Sequence, residues 1–388
     1  MKLLYITESV PNRDPMLGDG SSMIPFEVLR NLPADIAVTL LTFAGPVDVP
    51  AEIRTRCNTV HVMPTRRRGW AAILSLGGLT GFGKHQRSTA KAHTTAAKLS
   101  AAHEATLIHG PHALFLAHSV TGPLVLQTVD PWSIRAAMET SVAHALWPAY
   151  RFREFLAVRS ERRLPPRARL LTVGAQDAVS WSEHLARPAR SIPNGAERST
   201  RRASTAGSPV ACFVGSLNYG PNVDSVGVLI NKIAPLVWQQ VPDARFVLAG
   251  RRPAPSVRAL AGPRVDVLAN VPSVLEVFHS ADVAVFPDEH GVGIRNSVRE
   301  ALAAGLPVVA TPVAAREQAA HPLLTVEPDP QEFADHIVRR LTTRGWHRPG
   351  ADEASLRTWR TVAQEYADEI GKAIKSDSAG ILHGRSPA

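Results

Sequence analysis

The chain has 388 residues, with 43 Lys+Arg against 34 Asp+Glu for a formal charge of +9, 45% apolar residues and 20% charged ones. That mix excludes a mainly disordered chain and leaves apolar mass for two cores at this length. With only two cysteines, Cys57 and Cys212, a disulfide framework and an all-cysteine zinc site are also excluded. Both sit in strand-like runs and read as reduced core residues of a cytoplasmic protein. The first apolar run, Leu3 to Ile6, is too short for a secretory core, and no stretch approaches the ~18 apolar residues that span a bilayer. Basic residues gather at Arg66–Arg68, at Lys84 and Arg87, and from Arg151 to Arg169. These read as solvated faces; contact with an anionic surface at the membrane periphery is the less favoured alternative. Nucleic acid is not an expected partner, because aromatics are only 6% and do not interleave with the basic residues.

In chain order, Lys2–Thr7 reads as a short buried strand, followed by a Gly/Pro/Asp loop and a helix around Phe26–Leu32. Strands follow at Ala37–Phe43, Thr59–Met63, Ala105–His109, Leu124–Thr128 and Leu170–Val173, with helix-like segments between them. This alternation argues for a parallel sheet covered by helices. Ser191–Gly195 ends the first series, and the polar stretch Ala196–Pro209 reads as a linker. A second series then starts afresh. Its strands are Val210–Val214, Arg245–Ala249, Val265–Leu268, Val283–Phe286 and Pro307–Ala310, and its helices Asp224–Gln239, Val274–His279 and Asn296–Ala304. The expected organisation is an N-terminal doubly wound domain over 1–193, a linker over 194–209, and a second such domain over 210–350. A helical segment over 351–375, returning to the N-terminal domain through Trp359, Val362, Tyr366 and Ile370, and a disordered tail over 376–388 complete the chain. Two such sheets place a ligand cleft between domains, at the carboxyl ends of their strands.

The most informative stretch runs from Phe286 to Leu302. A buried strand ends at Phe286, Gly291 and Gly293 flank Val292, and a helix starts near Asn296. Glycines let backbone N–H groups approach a ligand closely, and the helix start adds the positive end of its dipole. Together they suit a diphosphate. Glu300 lies one turn inside the helix, where its carboxylate could accept hydrogen bonds from a ribose. Arg295 adds a fixed positive charge at the same mouth.

With the run Ala304-Gly-Leu-Pro-Val-Val-Ala310 behind it, this stretch resembles the GT-B glycosyltransferases of the family 4 type. The likeness continues at Phe213–Leu217, Phe246–Arg251, Ala281–Pro287 and Ile192–Gly195. It implies a metal-independent, retaining transferase acting from a nucleotide-diphosphate sugar, a UDP-sugar foremost, which is a substrate and leaves no cofactor to supply. Glu300 matches the second Glu of the family's E-x7-E pair, which binds the ribose. The first Glu has no clean match: Val292 stands eight residues earlier, and Glu289 or His290 could take its place. Where the family holds the diphosphate with a basic residue after the first glycine of the domain, this chain has Gly215-Ser216 and then Pro221-Asn222. The chain is similar to a subgroup with G-x-G-I-[RK]-N, here Gly291 to Asn296 through Ile294, followed by Ser297. The basic residue is then Arg295, with Arg251 second. Asn270 and Val271 fall where the nucleotide base would lie.

On the acceptor side, Gly18, Gly20 and Ser21 resemble the family's glycine loop after the first strand. His109 and His112 follow a strand and could meet an acceptor hydroxyl or a sugar O6; His109 joins Arg295, Glu289 and His290 in the expected catalytic set. Asp130 stands where relatives often carry a His-Asp pair. No D-x-D occurs, and no helical H-x-x-x-H pair, so no metal site is expected. The expected acceptor is a hydroxyl-bearing small molecule, with an aminocyclitol-type antibiotic as one class. Alternatives are a lipid-linked or cell-surface glycan acceptor, a GT-B relative with other chemistry such as a 2-epimerase or pseudo-glycosyltransferase, and a non-catalytic sugar-nucleotide-binding partner.

Overall fold

The computed structural model describes residues 1–14, 20–45, 47–65, 87–129, 131–134, 136–137, 147–197, 199, 207–290, 294–343 and 356–383. They form two compact units. The first comprises Met1–Asn194 with Trp359–Ala388, the second Gly195–Thr358.

The first unit is built on a seven-stranded, wholly parallel sheet. Its strands are β1 (Lys2–Thr7), β2 (Ala37–Phe43), β3 (Thr59–Met63), β4 (Ala105–His109), β5 (Leu124–Gln127), β6 (Arg169–Thr172) and β7 (Ala189–Ser191), in the order β3-β2-β1-β4-β5-β6-β7. β1, β4 and β5 are near-continuous apolar runs, as strands covered on both faces must be. The order reverses between β1 and β4, so their carboxyl ends diverge and open a crevice. The last helix, Trp359–His383, packs on β4, β5 and the helix Gly20–Asn31 of this same unit. Val362, Tyr366, Ile370 and Ala373 recur at four, four and three residues and are all buried.

The second unit carries a six-stranded parallel sheet in the order β10-β9-β8-β11-β12-β13, with β8 (Val210–Val214), β9 (Arg245–Gly250), β10 (Val265–Ala269), β11 (Val283–Phe286), β12 (Val308–Ala310) and β13 (Leu324–Val326). This is the nucleotide-binding strand order of doubly wound folds, with its switch point between β8 and β11. Phe213, Phe246, Phe278, Phe286 and Phe333 fill its core. The helix Pro330–Thr342 starts on Asp329, whose carboxylate accepts from the N–H groups of Gln331 and Glu332, with Pro330 in the first turn.

Both sheets of the expected doubly wound architecture are present. Differences lie at the ends of elements. The first helix begins at Gly20 and not at Phe26, because Pro25 sits inside it without breaking it. The helix expected from Asp224 begins at Gly220, with Pro221 in its first turn, and contains a π turn at Leu229–Ile233. The edge strands β7 and β13 are three residues each, too short to register as a period. The tail expected to be disordered from 376 is helical to His383; residues 384–388 lie outside the described residues.

Candidate active site

The second unit assembles its polar groups at the carboxyl ends of β8 and β11. Two helices begin there, Gly220–Val228 and Asn296–Ala303, so the positive ends of two helix dipoles lie at the same strand ends. Arg295 is the residue immediately before the second helix. Its guanidinium carbon lies 4.8 Å from the ring centre of Phe213 and 4.6 Å from that of Phe286, one ring from each of the two neighbouring strands. One Nη donates to Asp288 and, at 3.1 Å, to Asn222 Oδ1; the other reaches the carbonyl of Val214 at 3.4 Å. Asp288 is itself buried. Its Oδ1 accepts from Ser225 at 2.8 Å and its carbonyl from Thr311 at 2.7 Å. Burial pulls the Arg295 pKa below the ordinary arginine value, and the Asp288 charge and hydrogen bond push it back up. Its Nε is buried and finds no partner among the described residues.

This corrects the expectation that Arg295 stands at the mouth with its charge free for a diphosphate. The guanidinium lies in the floor of the site, and its charge is balanced by Asp288. Asp288 carries no signal of its own in the sequence, standing beside Glu289 and His290, either of which could take the place of the family's first Glu. Glu289 is 52% exposed and meets Lys232 at 3.7 Å. His290 is exposed, and Gly291 and Gly293 lie outside the described residues.

The floor fixes the loops around it. A Cβ on Gly215 would lie 2.9 Å from Asn222 Nδ2 and 3.3 Å from an Arg295 Nη, and Asn222 also donates to the Ser216 carbonyl at 3.0 Å. A Cβ on Gly250 would fall 1.7 Å from the Gly215 carbonyl oxygen. Glycine at 215 and 250 is therefore a requirement of packing between neighbouring strand ends. Arg251 holds Ser216 Oγ at 3.1 Å. Asn270 takes a left-handed φ of 55° and its side chain accepts from the Arg252 N–H at 3.1 Å, which ties the ends of β9 and β10 together. Val271 follows it, partly buried. Ile294, Asn296, Ser297 and Glu300 are all partly buried on or just before the helix, and Arg299, between them, is buried. Arg251, Asn270, Arg295 and the helix carrying Glu300 therefore belong to adjacent strand ends of one sheet.

The first unit has its own polar cluster at the ends of β1 and β4. Glu8 is buried there, one residue beyond β1, and its carboxylate accepts from the His112 N–H at 2.6 Å. A Cβ on Gly110, which has a φ of +94°, would lie 2.5 Å from that carboxylate. Arg87 donates to the Glu8 carbonyl at 2.7 Å. Sequence reasoning missed Glu8; an acid directly after a buried strand was the available signal. His109 is a correction to the expected catalytic set. It is fully buried, its Nδ1 pairs with the Tyr5 hydroxyl at 3.1 Å, and burial pushes its pKa down to about 3. It is a neutral core histidine, and His112 is the exposed one. Gly20 starts its helix with no crowding closer than 3.7 Å, and Ser21 Oγ lies 3.5 Å from Ser9 Oγ. Gly18 and Asp130 lie outside the described residues. Among the described residues no group of three His, Cys, Asp or Glu side chains is placed to hold a metal ion.

Solved structures share this architecture over nearly the whole chain. The Anabaena Alr3699/HepE structure, in complex with UDP and glucose, superposes with a TM-score of 0.64 at 15% identity, covering 96% of this chain and 99% of the other. AviGT4, a glycosyltransferase involved in avilamycin A biosynthesis, gives 0.53 at 14% identity over 97% and 98%. The lipopolysaccharide outer core galactosyltransferase WaaB gives 0.56 at 10% over 96% and 99%. No curated protein matches the sequence. At these identities the likeness defines the fold class, the two-domain GT-B architecture. Residues 208–343, most of the second unit, match the family of glycosyl transferases group 1. The chain thus has the GT-B fold, and within its second unit it is similar to the group 1 glycosyltransferases.

Proposed function

We propose that the protein moves a hexosyl group from a nucleoside diphosphate sugar, UDP foremost, to a hydroxyl of a small-molecule acceptor, in the manner of family 4, with retention and without a metal. The observation that carries this is the pair of helix starts at the β8/β11 switch point, with Glu300 one turn inside the second. The diphosphate lies against those helix starts and the Gly215–Ser216 loop, with Arg251 beside Ser216. Glu300 accepts from the ribose hydroxyls. Arg295 acts as a positioning residue: it holds Asn222, Asp288 and the Val214 carbonyl in one arrangement, and so fixes both helix starts. The donor's glycosidic C–O bond breaks, the diphosphate carries off the electron pair, and the acceptor oxygen bonds to the same face of the anomeric carbon. The hydroxyl proton passes to the departing diphosphate. Charge on the leaving group is offset by fixed dipoles, which need no rearrangement as the bond breaks. HepE was solved with UDP and glucose, and AviGT4 is a glycosyltransferase involved in avilamycin A biosynthesis; both accord with this reading.

Release of UDP from a panel of UDP-sugars, measured with and without acceptor extracts, tests the reading. Acceptor-dependent release that persists in EDTA is expected. Loss of all release in EDTA, or release indifferent to any acceptor, contradicts it. A lipid-linked acceptor is the second reading, and one surface of the first unit favours it.

A further inference from the structure

The helix Trp147–Glu161 of the first unit has two unlike faces. Ala157, Glu161 and Leu164 are buried. Glu161 is held there by the Ser133 hydroxyl at 2.5 Å and the Trp181 indole N–H at 3.0 Å, so the helix is firmly attached on that side. Positions 148, 152, 155, 159 and 162, spaced four, three, four and three apart, form one stripe on the opposite side, and all five are exposed. The chain continues this turn beyond the helix, because the Arg162 N–H still reaches the Val158 carbonyl at 3.0 Å. Phe152 and Phe155 are 52% and 55% exposed and stack on each other, ring centres 6.4 Å apart at 20°. Arg159 and Arg162 prolong the stripe, and exposed Arg151 and Arg163 flank it. The stripe contains no acid. Glu154 lies off it and takes Arg151 as its partner at 3.3 Å, and Glu161 is on the buried side.

We propose that this stripe docks the protein on the anionic face of a lipid bilayer. Two adjacent exposed aromatic rings are costly in water and suited to the headgroup boundary, where one side is apolar and the other wet. Arginines along the same line lie at the depth of lipid phosphates, and their stems add apolar contact. An acidic protein would match the arginines but needs a concave partner for the rings. The bilayer accepts both at once. No helix among the described residues is long and apolar enough to cross a membrane, so the contact is peripheral. The inference is independent of the donor reading, because it concerns the first unit alone and needs no substrate.

The test is sedimentation of the full chain with vesicles of phosphatidylcholine alone, or of phosphatidylcholine mixed with phosphatidylglycerol. Binding is expected only to the mixed vesicles and weakens with salt. The double variant Phe152→Ser/Phe155→Ser keeps the charge of +9 and is expected to lower vesicle partitioning by on the order of tenfold. Arg159→Glu/Arg162→Glu, a second variant at exposed positions, is expected to lower it at least as far, each basic residue contributing roughly fivefold. Circular dichroism confirms that both variants fold. The proposal is overturned if the parent does not sediment with the mixed vesicles. It is equally overturned if the phenylalanine variant sediments as well as the parent, since general positive charge then accounts for the attraction.

Discussion

Arg295 shows how much a residue's meaning depends on what faces it. The sequence places a cation at a helix start beside two glycines, and that much was legible. Its balance by Asp288 was not, because the pairing runs through a loop and is fixed by Asn222 and Ser225 on one helix and by Thr311 beyond β12. Removing Arg295 leaves Asp288 buried without its partner. Arg295→Ala is therefore expected to cost roughly 3–5 kcal/mol of stability. Arg295→Ala/Asp288→Asn should recover much of this, since the buried charge is gone. Thermal unfolding of the two variants checks it; a single variant as stable as the parent contradicts the pairing. Gly250 makes a sharper case. Any Cβ there meets the Gly215 carbonyl oxygen at 1.7 Å, so Gly250→Ala is expected to fail to fold or to lose more than about 3 kcal/mol in denaturant titration. His109 gives a pH dependence. Burial holds its pKa at about 3 against 6.5 when unfolded. The unfolded chain binds the proton first, so the stability of the first unit falls as pH drops from about 6.5 towards 3, by roughly 1.4 kcal/mol per unit. Replacement by Gln removes that slope from a urea series run across those pH values.

Elements were more legible than residues. β1, β2, β8 and β11 end where hydrophobic runs end, because a parallel strand covered on both faces must be apolar throughout. The short edges β7 and β13 and the helix Pro330–Thr342 carry no such run, and the chain pairs or packs them only in context. The last helix is held by more than its hydrophobic period. Beyond the buried Tyr366 and Ile370 it is held by Glu369, which is fully buried and takes Arg169 at 2.7 Å, Lys372 at 2.8 Å and Arg190. Burial alone would raise the Glu369 pKa, but hydrogen bonds from Lys372, Arg169 and Arg190 bring it down to about 2. The sign follows: the stabilisation is complete above the unfolded value of 4.5 and is lost as pH falls from there through about 2. Glu369→Gln is expected to lower the thermal midpoint at pH 7 by about 5 °C and to shrink that difference near pH 2. An equal loss at both pH values would contradict the pairing.

At the scale of the molecule, two parallel sheets with the same strand logic carry different polar clusters at their strand ends. Residues 208–343 of the second unit match a known family, and the glycines and helix starts that suit a phosphate were legible there as a pattern. The first unit was less readable, since its polar residues follow no fixed spacing. There Glu8, set against Gly110 and the His112 N–H, came to light only in three dimensions. The central claim is that the switch point of the second sheet holds a nucleoside diphosphate with Glu300 on its ribose. Titration calorimetry of UDP into the full chain, and into Glu300→Ala, tests it most directly. The account predicts saturable binding by the parent and at least tenfold weaker binding by the variant, as expected from losing a charge-assisted contact of about 1.5–3 kcal/mol. No heat of binding in the parent, or the same affinity in a folded Glu300→Ala, would contradict it.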